Sequence, residues 1–294
     1  MVGTVCEDSS IPLLTNNQIP KKMETDKIYC GDSEELLGRM DDESIDLIVT
    51  SPPYDNLRSY GGTCGWNKSK FEAIARELAR VLKDGGVLIW NVSDKTENGG
   101  KTGTSMRQAL FFMDECGLKL NDYMFWRKKN PMPQVRQPRY TNRIEFMFCF
   151  SKGKPKTFNP IMIPCKSAGK HYQSTAKIMG GESGRRDLDY NVNQEMVDYQ
   201  DWDIAVAQNR RVFKNENGEE IRHPAVFPIE LPLRHIRTWT NEGDVVLDPF
   251  MGSGTTALAA MELNRHYIGL EQNQDYVDIA NTLISEALVP SLAS

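Results

Sequence analysis

Val245-Val246-Leu247-Asp248-Pro249-Phe250-Met251-Gly252-Ser253-Gly254-Thr255-Thr256 runs from a short apolar strand through two glycines into a helix, and its place late in the chain decides the fold. Gly252 and Gly254 let the backbone bend sharply and approach a ligand closely. With Ala257 they make G-x-G-x-x-A, and Glu271 follows 19 residues after Gly252, at the end of the next expected strand, placed to accept from ribose hydroxyls. The lysine of a P-loop is missing, which excludes that mode of phosphate binding. A tight structural turn or a nicotinamide site would also fit the glycines alone. Only about two dozen residues follow Glu271, so the other strands of a doubly wound sheet must lie upstream. The expectation is a circularly permuted, Rossmann-like α/β sheet, mostly parallel with an antiparallel hairpin.

Upstream, Lys27 to Tyr29 reads as a short strand, Ser33 to Met40 as a turn of helix, and Ile45 to Val49 as a buried strand stopped by Thr50-Ser51-Pro52-Pro53-Tyr54. Phe71 to Leu82 has helical spacing, and Asp84-Gly85-Gly86 turns it into the strand Val87 to Trp90. Met106 to Cys116 is helical, and Leu118 to Trp126 and Ile144 to Phe150 look like strands. From Ser151 to Glu220 the periodicity dissolves into Gly, Lys, Asn and Pro, predicting an irregular lobe. A helix over Ile229 to Thr240, the glycine motif, a helix to about Leu263, a strand to Glu271 and a helix from Asp275 complete the chain. The expected organisation is a polar leader over 1–26, half of an α/β domain over 27–150, the irregular lobe over 151–220, and the cofactor half over 221–294.

Ligands of open α/β sheets bind at the carboxyl ends of strands, where Ser51 to Tyr54 falls. Consecutive prolines fix the backbone and leave rigid carbonyl acceptors, and Tyr54 adds an aromatic face. Such acceptors suit an exocyclic base amine, whose lone pair is delocalised into the ring. Ser51 Oγ and the Pro52 carbonyl, aimed at its N–H bonds, would favour a tetrahedral nitrogen and developing positive charge. A proline-stopped strand with a packed tyrosine is the plainer alternative.

Composition narrows the partners. The chain has 294 residues and a formal charge of −5, yet Phe125 to Arg186 holds fourteen Lys/Arg against Glu145 and Glu182. So dense a cluster without local acids favours nucleic acid over a solvated face. The candidates are Arg127, Lys128, Lys129, Asn130, Arg136, Arg139, Arg143 and Lys152, with Trp126, Tyr140 and Phe158 between or near them. The six cysteines show neither CxxC nor zinc-finger spacing, so reduced buried thiols and no metal are expected. No apolar run approaches a membrane span, and a cytoplasmic protein is expected.

TSPPY before DPFMGSGTT resembles the β-group amino-methyltransferases of DNA, over most of the chain from Asp32 to about Ala280. The resemblance implies S-adenosyl-L-methionine as cofactor and double-stranded DNA as substrate, with the target base flipped out and Ser51, Pro52, Pro53 and Tyr54 catalytic. Asp248, Pro249, Phe250, Gly252 and Gly254, with Thr50 and Thr255, would hold the methionine and adenosine portions, Glu271 the ribose and Asp32 the adenine amine. His223-Pro224-Ala225-Val226-Phe227-Pro228 is similar to the segment closing over the cofactor, which brings in His223 and Phe227. Asn130 to Pro133 with Tyr140 to Glu145 resembles the target-pocket segment. Ser51 in the first motif position resembles the cytosine-N4 enzymes, whereas adenine-N6 enzymes mostly carry Asp there. The expected setting is restriction-modification or phage and host DNA modification, with a cognate restriction endonuclease as a candidate partner. Monomer and homodimer both stay open. Cytosine-C5 chemistry through Pro164-Cys165 and a non-catalytic DNA-binding module are the competing readings.

Overall fold

Short apolar runs alternating with amphipathic stretches build an eight-stranded sheet between two layers of helices. The structure, a computed structural model, describes residues 23–53, 66–133, 138–177, 185–207, 211–214, 217–221 and 226–289. In chain order the elements are β1 (Lys27–Cys30), α1 (Ser33–Leu37), β2 (Ile45–Thr50), α2 (Lys68–Val81), β3 (Leu82–Val92), β4 (Thr96–Glu97), β5 (Gly100–Lys101), α3 (Thr104–Asp114), β6 (Lys119–Lys128), β7 (Ile144–Ser151), β8 (Met162–Pro164), β9 (His171–Lys177), β10 (Arg185–Asn191), β11 (Glu195–Val197), β12 (Asp201–Ile204), β13 (Phe213–Lys214), β14 (Glu220–Ile221), α4 (Glu230–Trp239), β15 (Val245–Asp248), α5 (Thr255–Glu262), β16 (His266–Glu271) and α6 (Gln274–Leu288).

The sheet order is β1-β16-β15-β2-β3-β7-β6-β12. The late strands β15 and β16 are inserted between β1 and β2, so the sheet is permuted as the glycine motif required. Pairing is parallel except for β7, which runs antiparallel to both β3 and β6. Thr50 therefore ends its strand next to the strand that delivers Asp248.

Apolar periodicity explains the layers. Phe71, Ile74, Ala75, Leu78 and Val81 form one buried stripe of α2. Leu36 and Leu37 of α1 and Phe112 of α3 join that stripe over Ile48, Leu88, Trp90, Phe150 and Leu247. Each such side chain stabilises the fold by roughly 1.5–3 kcal/mol when fully buried. Asn67 starts α2 by accepting from the Lys70 N–H at 3.0 Å. Helices α4, α5 and α6 pack in sequence as the other layer.

The stretch 151–220 departs from expectation. Its described residues form short strands: β8 with β11, seven-residue β9 with β10, and β13 with β14, all antiparallel. β12 even joins the main sheet, parallel to β6. Outside β12, whose Asp-Trp-Asp-Ile alternates and buries Trp202 and Ile204, these strands are short and their described side chains are mostly exposed or half-buried, so periodicity over the whole stretch is weak. Asn159–Gln200 forms a compact unit of its own, distinct from the sheet and its helices. The thiols also differ in part: Cys149 is buried, but Cys30, Cys116 and Cys165 are half-buried, and all four are free. Among the described residues no helix is long and apolar enough to cross a membrane.

Candidate active site

β15 ends by driving Asp248 into the interior, where it is 4% exposed. Its Oδ1 accepts from Thr50 Oγ1 at 2.6 Å and from the Phe250 N–H at 3.0 Å, and its Oδ2 accepts from Thr256 Oγ1 at 2.7 Å. Burial pushes this carboxyl up, and the three donors oppose the shift. Asp248 thus braces the glycine loop from within and ties it to the end of β2. The loop is stitched to β16 as well: Met251 N–H donates to Leu270 O at 2.9 Å and Gly252 N–H to Glu271 Oε2 at 2.8 Å. Gly252 and Gly254 have φ of 54° and 84°. At Gly254 a Cβ would stand 2.8 Å from Ala280 Cβ, so the glycine also lets α5 approach α6.

Glu271 receives a second bond, from Asn273 N–H to Oε1 at 2.9 Å. Burial raises its pKa most, with the nearby Asp248 charge adding to the rise and the backbone donors opposing it. Across the parallel pair Cys30 lies opposite Glu271, which brings the following residues 31–33 to the same strand end. Asp32 accepts from Glu34 N–H at 2.9 Å as the N-cap of α1 and pairs with Lys70. Buried Ser33, which sequence reading missed, donates to the Pro249 carbonyl at 2.6 Å. The loop, Asp32 and Glu271 form a cradle of short side chains, backbone N–H groups and one carboxylate pair, which fits a nucleoside-bearing cofactor.

Thr50 hands the chain to Ser51, Pro52 and Pro53, of which Pro52 is buried and the other two half-buried. The Thr50 side chain is itself wholly buried on Asp248, so it ties the strand end to the glycine loop. Half-buried Phe250 meets the edge of Trp66 at 5.3 Å and of Trp90 at 6.4 Å, an aromatic wall that no motif announced. Phe227 is half-buried and Thr255 opens α5. Tyr54, Arg136 and His223 lie outside the described residues.

Residues 45–282 match the family model for N6/N4 DNA methylases, described as DNA methylase. The orphan methyltransferase M.BamHII of Bacillus amyloliquefaciens is 42% identical over 252 residues, covering 84% of this chain and 91% of that protein. The chain belongs to the N6/N4 DNA methylase family. M.BglII, a type II methyltransferase of Bacillus subtilis, is 30% identical over 281 residues, covering 92% of the chain and 72% of that protein. Among solved structures, the PvuII DNA methyltransferase (cytosine-N4-specific) superposes with a TM-score of 0.64 at 22% identity, covering 94% of this chain and 90% of that one. A putative DNA modification methylase of Thermus thermophilus, complexed with S-adenosyl-L-methionine, gives 0.57 at 22% identity, covering 90% and 97%.

In this methylase the expected DNA-facing cations fall into two groups. β6 ends and β7 begins at the end of the sheet where β2 stops, which brings Arg127, Lys128, Lys129, Asn130 and Arg143 to the Ser51 end. Lys152 follows the opposite end of β7, donates to Leu82 O at 3.0 Å and pairs with Glu43 at 3.1 Å. It is not brought together with the others. Even the first group is partly neutralised by acids distant in sequence. Arg127 pairs with Asp201 at 2.9 Å and with Asp203, Arg143 pairs with Asp203 at 2.6 Å, and Lys128 pairs with buried Glu145 at 2.5 Å. Trp126 is a core residue: it is buried, and its Nε1 donates to Ile204 O at 2.8 Å, pinning β12. Asn130 Oδ1 accepts from the Val206 N–H at 2.8 Å. Cys165 sits in a turn of the smaller unit, its N–H bonded to Gln194 O at 2.9 Å.

Proposed function

We propose that this DNA methylase transfers a methyl group from S-adenosyl-L-methionine to the exocyclic N4 amine of cytosine in a base flipped out of double-stranded DNA. The observation that carries the proposal is the Thr50–Asp248 hydrogen bond at 2.6 Å, because it ties the Ser51-Pro52-Pro53 strand end to the cofactor loop. The cofactor supplies an electrophilic sulfonium methyl group. In this reading Glu271 exchanges its backbone donors for ribose hydroxyls, and the glycine loop with Asp32, Phe227 and Phe250 encloses the methionine and adenosine portions. Ser51 Oγ and the Pro52 carbonyl accept the amine N–H bonds, so that the nitrogen lone pair leaves conjugation and points at the methyl carbon. Forming the C–N bond would break the sulfonium S–CH3 bond and leave the cofactor as its neutral thioether, and one amine proton would depart to solvent along these bonds. Tyr54 stacks on the flipped base.

Ser51 in the motif supports cytosine, as does the likeness to a methyltransferase whose name specifies cytosine N4. The relatives are named as type II and orphan methyltransferases, which supports a place in restriction-modification or its orphan counterpart. We assign target recognition to residues 151–220 and phosphate contact to Arg127, Lys129, Arg139 and Arg143.

Incubation of the protein with labelled cofactor and DNA, followed by nucleoside mass spectrometry, tests the base. N4-methylcytosine is expected, and N6-methyladenine as the sole product would overturn that choice. Ser51→Ala and Tyr54→Ala should lower turnover at least tenfold, the loss of about 1.4 kcal/mol of transition-state stabilisation, with cofactor affinity unchanged. Saturable cofactor binding by the wild type without transfer to any DNA would point to the non-catalytic module.

A further inference from the structure

Between β4–β5 and the segment entering β7 lies a cavity of about 440 Å³, lined by Lys101, Arg139, Tyr140, Thr141, Asn142, Arg143 and three further residues, with no carboxylate among them. Arg139 joins its two walls, donating to Thr96 Oγ1 at 2.6 Å and to Gly99 O at 3.1 Å. Lys101 donates to the Asp94 carbonyl at 3.1 Å. Every one of these acceptors is neutral, so the hydrogen bonds hold the two cations in place without cancelling their charge. Among the described residues neither Lys101 nor Arg139 has a carboxylate partner, whereas Lys83, Lys128, Lys152 and Lys156 all do. The Arg139 Nε is buried with no acceptor among the described residues. A concave site with two uncompensated cations and further donors from Thr141 and Asn142 matches an oxyanion.

Its place in the sheet says which oxyanion. Trp90 of β3 lies opposite both Thr50 and Phe148, and Ile144, which lines the cavity, is four residues further along β7. At about 3.3 Å per residue and 4.8 Å between strands, this lining residue is roughly 13 Å above and 10 Å across from Thr50. That is the span of a nucleotide or two from a base seated at Ser51 to Pro53. We propose that this cavity clamps a backbone phosphate of the target strand next to the flipped nucleotide, with Lys101 and Arg139 as its charged contacts. The proposal rests on the reading of the chain as acting on DNA and is independent of which base is methylated.

The test uses the full chain with bound cofactor product and a duplex whose methylated position has been mapped. Lys101→Gln should weaken binding and reduce the slope of log K against log salt by about 0.9, the effect of one phosphate contact on duplex DNA. The loss should be equal on duplexes with and without the recognition site, because phosphates carry no sequence. Cofactor affinity should not move, and Lys101→Arg should restore the slope. A methylphosphonate at one of the two phosphates flanking the target should weaken wild-type binding and leave Lys101→Gln no weaker than before. Arg139→Gln should reproduce the slope change, and its cofactor affinity reports whether it has folded. Unchanged slopes in folded Lys101→Gln, or a sensitive phosphate three or more nucleotides from the target, would overturn the proposal alone. A wild type with no salt-dependent DNA affinity would overturn the DNA reading itself.

Discussion

Both oxygens of Asp248 are committed inside the protein, to Thr50, Phe250 N–H and Thr256. A buried carboxylate is tolerable only with such donors, so each of them should be felt in stability. Thr50→Val keeps the shape and leaves a buried acceptor of Asp248 without this donor; the expected loss is about 1–3 kcal/mol in urea unfolding. Cofactor affinity should fall with it, because the loop and the strand end lose their tie. Equal stability of the two proteins would mean that Thr50 does not brace the site. Gly254→Ala should cost about 1–3 kcal/mol from crowding alone, since the new Cβ would meet Ala280 Cβ at 2.8 Å, and the φ of 84° adds backbone strain to it. Thermal unfolding and cofactor titration both read it. The glycines were legible because backbone geometry dictates their type. Thr50 was placed among the cofactor contacts, and its inward turn was not legible, because its partner is 198 residues away. Ser33 escaped for the same reason: its acceptor is the Pro249 carbonyl, 216 residues on.

β12 shows what a local reading of charge and pattern misses. Its four residues carry Asp201 and Asp203, which reach Arg127 and Arg143, while Asp46 and Glu43 from β2 and the turn before it reach Lys156 and Lys152. A count over Phe125 to Arg186 saw none of these acids and overstated the free charge. β12 also places Trp202 against His235 of α4, with ring centroids 4.7 Å apart. His235 is 1% exposed, and among the described residues neither ring nitrogen has a hydrogen-bond partner. Burial first, and then the Arg234 charge, bring its pKa down to about 3 from 6.5. A histidine with a depressed folded pKa binds its proton more readily when unfolded. Its stabilisation is therefore complete above pH 6.5 and is lost as pH falls toward about 3, with a slope approaching about 1.4 kcal/mol per pH unit. Carboxylates titrate in the same window, so the readout is a difference. His235→Leu should be no less stable than wild type at pH 7.5, where it removes two unpaired buried nitrogens. It should lose less stability between pH 6.5 and 4.5 in denaturant titrations. Parallel pH curves for the two proteins would contradict the buried neutral histidine.

At the scale of the molecule, the permuted sheet was legible because two motifs at strand ends, in a fixed order, leave few ways to close one sheet. The smaller unit lies within the expected 151–220 lobe, but its edges at Asn159 and Gln200 were not legible, because its strands are short and the β8–β11 pair carries apolar side chains on both faces. Its charge balances, while the remainder carries the net −5 and gathers its cations locally at the sheet end: Asn159–Gln200 holds Lys166, Lys170, Lys177, Arg185 and Arg186 against Glu182, Asp187, Asp189, Glu195 and Asp198, a formal sum of zero. Salt-sensitive attraction to DNA should accordingly come from the sheet end, and discrimination between sequences from the neutral unit. Replacing residues 160–199 by a flexible Gly/Ser linker tests that division. Phe158 stays, because it packs on Trp239 at 5.1 Å, and β12 stays, because Trp126 and Trp202 hold it in the sheet. The shortened protein should unfold cooperatively and bind S-adenosyl-L-methionine within a few-fold of the parent. It should also keep the parent's salt slope on arbitrary duplex DNA. Site-selective methylation, read by sequencing modified bases on a random library, should disappear. Retained selectivity would move target recognition onto the sheet end itself, and a lost salt slope would place the phosphate contacts in the smaller unit.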